Sequence, residues 1–372
     1  MAPRGPIGFA CNWDPRPRPT WSYTPWHLRA ALASQVEVVD VGVRIPRPAR
    51  AGLKVLSARR VDGRWVSPWK HTRAVDRWCQ RVIGANATRL GCRAVLEMQD
   101  LAAPPVPFFL YQDLTFDILL RVLDERRDVP HFPGLGRDDL LRRRDRQLAV
   151  YERAEGLLVM SRWAASTLVE WSGVPADKVH TVYPGRTVRS ARPLPDRRAP
   201  RTGRLLLVGR DLHTKGADVV AAALAHLRHG GHPRARLTIA GPAAWTLPGA
   251  VPEAVTLLGP VAPEAVPELF DGHDLLVMPS RLEGFGIVFV EALARGLPCI
   301  GRRAFAMPEL INPGRNGDLV DGDDPEALAA AIERVLADDD LYRSCAADAE
   351  AVALRFTWER AASEVLAAMD GY

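Results

Sequence analysis

Residues 275–298 read LLVMPSRLEGFGIVFVEALARGLP and carry the strongest fold signal in the chain. The apolar run 275–278 predicts a buried strand that ends at a Pro-Ser turn. A loop over residues 283–286 follows, and the spacing from about Ile287 predicts a helix that stops at Gly296, a left-handed glycine. Because the first N–H groups of a helix lack intrahelical partners, this strand-loop-helix unit also predicts an anion site.

Two acidic residues bracket that helix start. Glu291 lies within an otherwise apolar helix, where an unpaired carboxylate costs several kcal/mol unless a donor satisfies it. Glu283 stands eight residues earlier, in the loop. One interpretation is a ligand with hydroxyls at both ends and phosphates between them. The alternative is a buried helix with a capping acid, Glu283, and a core glutamate satisfied by the protein.

The pattern Glu-x7-Glu, preceded by Pro-Ser and followed by Ala-x-Ala-x-Gly-x-Pro, resembles the nucleotide-sugar site of GT-B retaining glycosyltransferases of family 4, the glycosyl transferases group 1. The resemblance implies that Glu291 holds the ribose hydroxyls and that Glu283 touches the transferred sugar. It also implies that loop amides hold the diphosphate, and these amides belong to Gly284, Phe285, Gly286, Ile287 and Val288.

A second strand-loop-helix unit reads VGRDLHTKGADVV over residues 208–220. It matches the Gly-Arg…Lys-Gly element of the same family, which adds Gly209 to the donor site and directs Arg210 and Lys215 at the diphosphate. Lysine would act there as a point charge and arginine as a bidentate donor. The alternative is a solvated pair of cations in a surface loop. The segment lacks the spacing of a Walker phosphate loop.

In the first half of the chain, YQDLTF (111–116) places Gln112 and Asp113 at the end of an apolar strand, where ligands bind in parallel sheets. Many family members have a histidine in this region, so a catalytic role for Asp113 is an expectation of the resemblance and stays open. Capping of the next turn is the alternative. The loop Trp21-Ser22-Tyr23-Thr24 is the other candidate on the acceptor side. Tyr23 stands where relatives often have glycine, and Thr24 before a proline predicts a helix cap.

Composition and charge indicate two domains. The chain has 372 residues, which exceeds the length at which a single hydrophobic core stops growing. Its composition, 47% hydrophobic and 25% charged, is that of an ordinary globular protein. Residues 1–200 hold 33 Lys/Arg against 20 Asp/Glu, whereas residues 201–372 hold 16 against 24. The absence of a long apolar segment or an apolar leader predicts a cytoplasmic protein, and the five scattered cysteines predict reduced thiols.

Positive charge is densest over residues 44–81, which hold eleven Lys/Arg, two acidic residues and the tryptophans Trp65, Trp69 and Trp78. One interpretation is a solvated basic face. The other is a surface for an anionic or membrane-associated acceptor, which would place the protein at the inner face of the membrane. A small natural-product acceptor stays an alternative. No recognition motif for nucleic acid accompanies the charge.

No metal or cofactor is expected beyond the nucleotide-sugar substrate. The nine histidines show no ligand spacing. The acidic run DGDD (321–324) stands directly before Pro325 and a helical pattern, so we interpret it as a helix cap and not as a metal site.

The sequence therefore predicts an α/β protein of the GT-B fold, with two Rossmann-like domains facing across a cleft. We expect an acceptor domain over 1–190, joined by a returning C-terminal helix over 356–372, and a nucleotide-sugar domain over 200–355. The predicted activity is retaining, metal-independent hexosyl transfer by a front-side mechanism. The alternatives are a nucleotide-sugar epimerase or hydrolase of this fold, and a non-catalytic nucleotide-sugar-binding protein. The sequence leaves open the base, the sugar, the acceptor and the oligomeric state.

Overall fold

The computed structural model describes residues 5–61, 63–125, 134–188, 193–196 and 201–372. Its chain divides into two compact units, one made of residues 1–185 with 358–372 and the other of residues 186–357. We expect the linker between the two domains over residues 188–204, and of these, residues 189–192 and 197–200 lie outside the described part of the chain. The assignment of the acceptor to the first unit and of the donor to the second stays a prediction.

The first unit is a six-stranded parallel sheet with helices and one added hairpin. Its elements up to residue 181 are β1 (Ile7–Ala10), α1 (Thr24–Ala33), β2 (Val38–Asp40), α2 (Arg47–Leu56), β3 (Arg59–Val61), β4 (Arg64–Val66), α3 (Arg73–Arg89), β5 (Ala94–Met98), β6 (Phe108–Gln112), α4 (Phe116–Glu125), α5 (Arg137–Arg153), β7 (Gly156–Val159), α6 (Arg162–Glu170) and β8 (Val179–Thr181). The sheet order is β2-β1-β5-β6-β7-β8, and β3 pairs with β4 as a separate antiparallel hairpin.

The second unit repeats this architecture. Its elements are β9 (Arg204–Val208), α7 (Ala217–His229), β10 (Arg236–Ala240), β11 (Val255–Gly259), α8 (Val266–Gly272), β12 (Leu275–Val277), α9 (Ile287–Leu293), β13 (Cys299–Arg302), α10 (Met307–Leu310), β14 (Gly317–Val320), α11 (Pro325–Ala337) and α12 (Asp339–Arg355). The order β11-β10-β9-β12-β13-β14 is parallel throughout. Continuous apolar strands, buried on both faces by helices, explain this arrangement.

The last helix, α13 (Trp358–Ala368), belongs to the first unit, as the sequence predicted. It packs on α1, where the His27 ring stacks on Trp358 with centroids 6.1 Å apart. Ser363 Oγ also donates to Gln35 Oε1 over 2.9 Å. The two predicted Rossmann-like sheets are confirmed.

Two local predictions need correction. Thr24 is the first residue of α1 and not its cap, because Tyr23 holds the cap position in a left-handed conformation without a side-chain hydrogen bond. The apolar run VEVVDVGV over residues 36–43 predicts a second strand, but only β2 forms within it, with an isolated bridge between Asn12 and Val43. The cap at Asp324 is confirmed, since its carboxylate accepts from Glu326 N–H over 2.9 Å.

Among the described residues, no helix is long and apolar enough to cross a membrane. All five cysteines are buried and free.

Candidate functional site

The two predicted donor elements meet in the second unit. β9 and β12 are paired neighbours, so the loops that leave their carboxyl ends emerge side by side. Lys215 Nζ lies 2.6 Å from Glu283 Oε2 and forms an ion pair with it. The Arg281 N–H donates to the Thr214 carbonyl over 2.8 Å and joins the loop backbones. The structure therefore unites residues that the sequence separates by 68 positions.

Glycine is required at two places in this pair of loops. A Cβ on Gly209 would stand 2.7 Å from Lys215 Cγ, so only glycine lets the lysine stem lie across the strand end. Gly286 caps α9 with a φ of 86°, and a Cβ there would lie 2.6 Å from the Phe289 ring. At both positions the lack of a Cβ allows a close contact within the loops, and this contact explains the glycine.

A buried arginine holds the loops together. The Arg281 side chain is 4% exposed, and its guanidinium donates to both oxygens of Asp218, over 2.7 and 2.6 Å. It also donates to the His213 carbonyl over 2.6 Å and to Asp323 Oδ2 over 3.2 Å. One side chain thus ties the β12 loop, the start of α7 and the segment before α11.

Arg302 stabilises the Pro-Ser turn through hydrogen bonds to its backbone. Its guanidinium donates to the Ser280 carbonyl over 2.9 Å and to the Pro279 carbonyl over 3.0 Å, and it pairs with Asp323. Sequence reasoning missed Arg281, Arg302, Asp218 and Asp323. Only their location in the sequence could have indicated these residues, because Arg281 directly follows the Pro-Ser turn and Asp218 lies in the first turn of α7. Local patterns do not encode which charges pair across loops.

The other predicted donor contacts divide into exposed and buried groups. Arg210 is exposed and forms no ion pair with another residue in the described part of the chain. Phe285 is buried with its ring 6.0 Å from that of Phe356, so only its backbone is placed to meet a ligand. Gly284 is buried, while Ile287 and Val288 are half-buried at the first turn of α9.

Glu291 has partners in the protein. Its Oε1 accepts from the Thr187 N–H over 2.9 Å, and the Thr187 hydroxyl and Val188 N–H add further hydrogen bonds. Burial raises the pKa of Glu291 despite these donors. These contacts agree with the alternative of a glutamate satisfied by the protein, and the ribose contact stays a prediction.

Glu291 also lines a shallow surface cavity within the second unit. Two arginines contribute to the wall, and one of them, Arg295, is held by Asp271 over 2.8 and 2.9 Å. The other lining residues are Arg186, Val188, Val266, Pro267 and Phe270. The carboxylate therefore stands between a polar segment and an apolar wall.

In the first unit, the structure corrects the predicted placement of Gln112. The side chain is buried and does not open at the strand end: its amide donates to Tyr151 Oη over 2.6 Å, and the phenol donates back over 3.0 Å. The reason is that the Tyr151 hydroxyl on α5 satisfies both ends of the amide within the core. Asp113 is half-buried, and its catalytic role stays a prediction.

The N-terminal loop has unusual backbone geometry. Trp21, Ser22 and Tyr23 all have left-handed φ values, of 41°, 52° and 69°. Such values cost a non-glycine residue of order 1–3 kcal/mol each, and strain of this kind concentrates at functional sites. Tyr23 therefore holds a backbone conformation that glycine adopts without strain, and its ring lies 6.4 Å from that of His27.

A buried acidic pair, Glu97 and Asp100, lies at the carboxyl end of β5 and was not predicted. Glu97 Oε2 accepts from the N–H groups of Leu101 and Ala102, over 3.1 and 2.9 Å, while Oε1 has no partner. Burial raises the pKa of Glu97 to about 8. Asp100 pairs with Arg146 over 3.0 Å. The acidic residues within and after the apolar run AVLEMQD (94–100) could have indicated this buried pair.

Across the described ranges, no group of three or more His, Cys, Asp or Glu side chains is arranged to hold a metal ion.

Known protein sequences are similar to parts of this chain. Residues 197–352 match the family model of the glycosyl transferases group 1. The D-inositol 3-phosphate glycosyltransferase of Xylanimonas cellulosilytica is 31% identical over 242 residues, which cover 58% of this chain and 57% of that protein. The enzyme of the same name from Acidothermus cellulolyticus is 30% identical over 266 residues, 64% of this chain and 56% of that protein. The chain thus spans little more than half the length of these relatives.

Solved structures resemble the whole chain. Sucrose-phosphate synthase from Thermosynechococcus elongatus gives a TM-score of 0.74 at 18% identity, over 98% of each chain. WaaG, a glycosyltransferase involved in lipopolysaccharide biosynthesis, gives 0.66 at 16% identity, over 98% of this chain and 100% of that one. HepE from Anabaena, in complex with UDP, gives 0.64 at 18% identity, over 99% and 100%. At these identities the likeness shows the GT-B fold, and within that fold residues 197–352 resemble the glycosyl transferases group 1.

Proposed function

We propose that this chain is a retaining glycosyltransferase that moves a sugar from a nucleoside diphosphate sugar to an acceptor. The observation that carries the proposal is the ion pair of Lys215 with Glu283, 2.6 Å apart, which joins the two loops of the family's donor site. Both residues are only partly exposed, so their charges act in a medium less polar than bulk water.

The ion pair suggests how the donor is taken up. A diphosphate carries more negative charge than Glu283 and would compete for Lys215. Release of Glu283 would leave its carboxylate to accept a hydrogen bond from a sugar hydroxyl. Arg210, exposed and without an ion-pair partner in the described part of the chain, is the second cation for the diphosphate.

The chemical step has a balanced front-side form. The acceptor oxygen bonds to the anomeric carbon on the face from which the diphosphate leaves, so the configuration is retained. The acceptor hydroxyl gives its proton to the leaving phosphate oxygen, and no separate base or metal ion enters the scheme. Lys215, Arg210 and the amides of residues 284–288 would stabilise the charge that develops on the leaving group.

The ribose is assigned to Glu291. Its carboxylate lies in the cavity described above, and hydrogen bonds from Thr187 and Val188 orient it. A carboxylate accepts several hydrogen bonds at once, so protein donors and ribose hydroxyls can share it.

The acceptor is proposed to be anionic. The excess of positive charge in residues 1–200 would attract such a molecule. The relatives from X. cellulosilytica and A. cellulolyticus are named for D-inositol 3-phosphate, a phosphate ester and therefore an anion. A membrane-associated acceptor and a small natural product are the remaining candidates. We place the reaction in the cytoplasm.

The donor is tested first by thermal-shift screening with UDP-, GDP-, TDP- and ADP-sugars. Glu291→Gln should raise the donor Kd and leave the unfolding temperature nearly unchanged, while Glu326→Gln, on the exposed start of α11, should change neither. A Glu291 variant that melts early yet binds donor normally would assign the residue to folding alone.

The reaction is tested with the donor that binds and a panel of acceptors that includes inositol phosphates. The anomeric proton coupling in the product's NMR spectrum should show the configuration of the donor. Inversion would refute the front-side scheme. Release of free sugar or of an epimer without an acceptor would instead assign the chain to the hydrolase or epimerase class.

A further inference from the structure

Helix α2 lies on the first unit without burying any of its own residues. It rests on the core through Leu53, which is partly buried. Val55 and Leu56, at its C-terminal end, are 76% and 86% exposed. Folding within this chain therefore leaves two large apolar side chains in water.

The hairpin that follows extends this apolar edge. Trp65 on β4 is 75% exposed and stands directly opposite Arg60 on β3, so the two side chains share one face of the hairpin. A hydrogen bond of 2.8 Å between the hydroxyls of Ser57 and Ser67 joins the end of α2 to the end of the hairpin. We name the exposed residues of α2 and of this hairpin the α2–hairpin surface.

Four cations of this surface make no ion pair with another described residue. Arg47, Arg50 and Lys54 recur at helical spacing and share one face of α2. Neither these three nor Arg60 forms an ion pair with another residue in the ranges that the structure describes. Arg59 differs, because it pairs with Asp139 on α5. Arg59 thus joins the hairpin to α5, while the cations without ion pairs stay exposed.

We propose that the α2–hairpin surface docks on an anionic lipid bilayer. Exposed Val55, Leu56 and Trp65 match the interfacial region of a bilayer, where aliphatic and indole groups leave water. The neighbouring cations complement anionic headgroups, and each strengthens binding by about fivefold. The charges are spread along a helix face and are not gathered around a cavity, which favours an extended anionic surface over one small ligand. The proposal depends on no property of the nucleotide site.

Vesicle binding of the full chain tests the proposal. Co-sedimentation is measured with vesicles of phosphatidylglycerol and phosphatidylcholine, and with phosphatidylcholine alone. We expect retention on the anionic vesicles that falls steeply as salt rises. Arg47→Gln/Arg50→Gln/Lys54→Gln should weaken that retention at least tenfold, and Val55→Ser/Leu56→Ser/Trp65→Ser should weaken it in both low and high salt.

Leu354→Ser is the matched control, since Leu354 is 69% exposed in the second unit. It should bind vesicles like the wild type, and all variants should keep the wild-type circular dichroism and thermal shift with nucleotide. Failure of the wild type to bind anionic vesicles overturns the proposal. So does equal binding to both lipid compositions, or full binding by the triple variants. Absence of nucleotide binding by the wild type would contradict the proposed function but not the proposed docking of this surface on a bilayer.

Discussion

The loops of the predicted donor site and the α2–hairpin surface both contain several arginines, but the arginines have opposite roles in the two regions. Arg281 and Arg302 are buried, and their guanidinium groups donate to carboxylates and to loop carbonyls. On the α2–hairpin surface, Arg47 and Arg50 have no carboxylate partner among the described residues. Burial and pairing therefore separate a charge that shapes a site from a charge that meets an external partner. Counting charges along the sequence cannot make this distinction.

The largest effect on stability is expected from Arg281→Met. The change leaves Asp218 without its cation and Asp323 with Arg302 alone. Because both carboxylates are partly exposed, we expect a loss below the about 3–5 kcal/mol that breaking a fully buried ion pair costs. Urea unfolding should show this loss. Arg281→Lys should not restore stability, because lysine lacks the planar fork that spans both carboxylates. If Arg281→Met unfolds like the wild type, the network does not hold the loops.

The next largest effect is expected at Lys215, which is partly exposed. This lysine forms an ion pair in the protein and is also proposed to bind the diphosphate. Lys215→Ala should lower kcat by about 10²-fold or more, on the scale of ~2.7–4 kcal/mol for one preorganised charge stabiliser. Glu283→Gln removes the same ion pair and serves as the comparison. Equal losses of stability in both variants, with wild-type kcat at saturating donor for Lys215→Ala, would make the pair purely structural.

Glu97 provides a third case, a buried carboxyl without any cation in direct contact. Glu97 keeps its proton in the folded protein up to about pH 8, whereas in the unfolded chain it releases the proton near the ordinary glutamate pKa of 4.5. Because the folded state then binds more protons, stability falls as pH rises through this window, by at most about 1.4 kcal/mol per pH unit. Glu97→Gln mimics the neutral acid and should lack this loss.

The measurement is the urea midpoint of wild type and variant at pH 5, 6.5 and 8. The difference between them should move in favour of Glu97→Gln as pH increases. Glu37→Gln, at an exposed residue of the same unit, is the control. A difference that stays constant across the three pH values would show that Glu97 is ionised in the folded protein.

The smallest effect belongs to the α2–hairpin surface. Arg47→Gln/Arg50→Gln/Lys54→Gln removes three exposed charges that make no ion pair in the described chain. Stability in the absence of lipid should therefore change by no more than about 0.5 kcal/mol. A loss as large as that of Arg281→Met would end the contrast between the two regions.

The sequence was sufficient for the parallel strands and the glycine turns. Continuous apolar runs gave β9 and β12, and Gly296 has the left-handed φ, of 61°, that its position after the helix predicted. Both signals are local, because a strand's burial and a glycine's backbone preference depend on neighbouring residues. The donor loops followed from them, since neighbouring parallel strands end at one edge.

Long-range pairing could not be predicted in this way. Nothing near Gln112 in the sequence indicates that Tyr151 would bury its amide, and nothing near Arg281 selects Asp218 over the other acids. Helix α2 and its hairpin were also missed. Pro48 and Gly52 weaken the helical pattern, and the apolar side chains there are not buried by the rest of the fold.

Asp323 and Asp324 are neighbours in sequence with different tasks: one joins Arg281 to Arg302, and the other begins α11. Inserting or deleting a single residue in this turn would misplace both carboxylates at once. Length variation among homologues should therefore avoid this turn. A chimaera that exchanges donor specificity must inherit the segments 211–218, 279–283 and 321–324 from one parent, because their contacts form one inherited block rather than three separate loops.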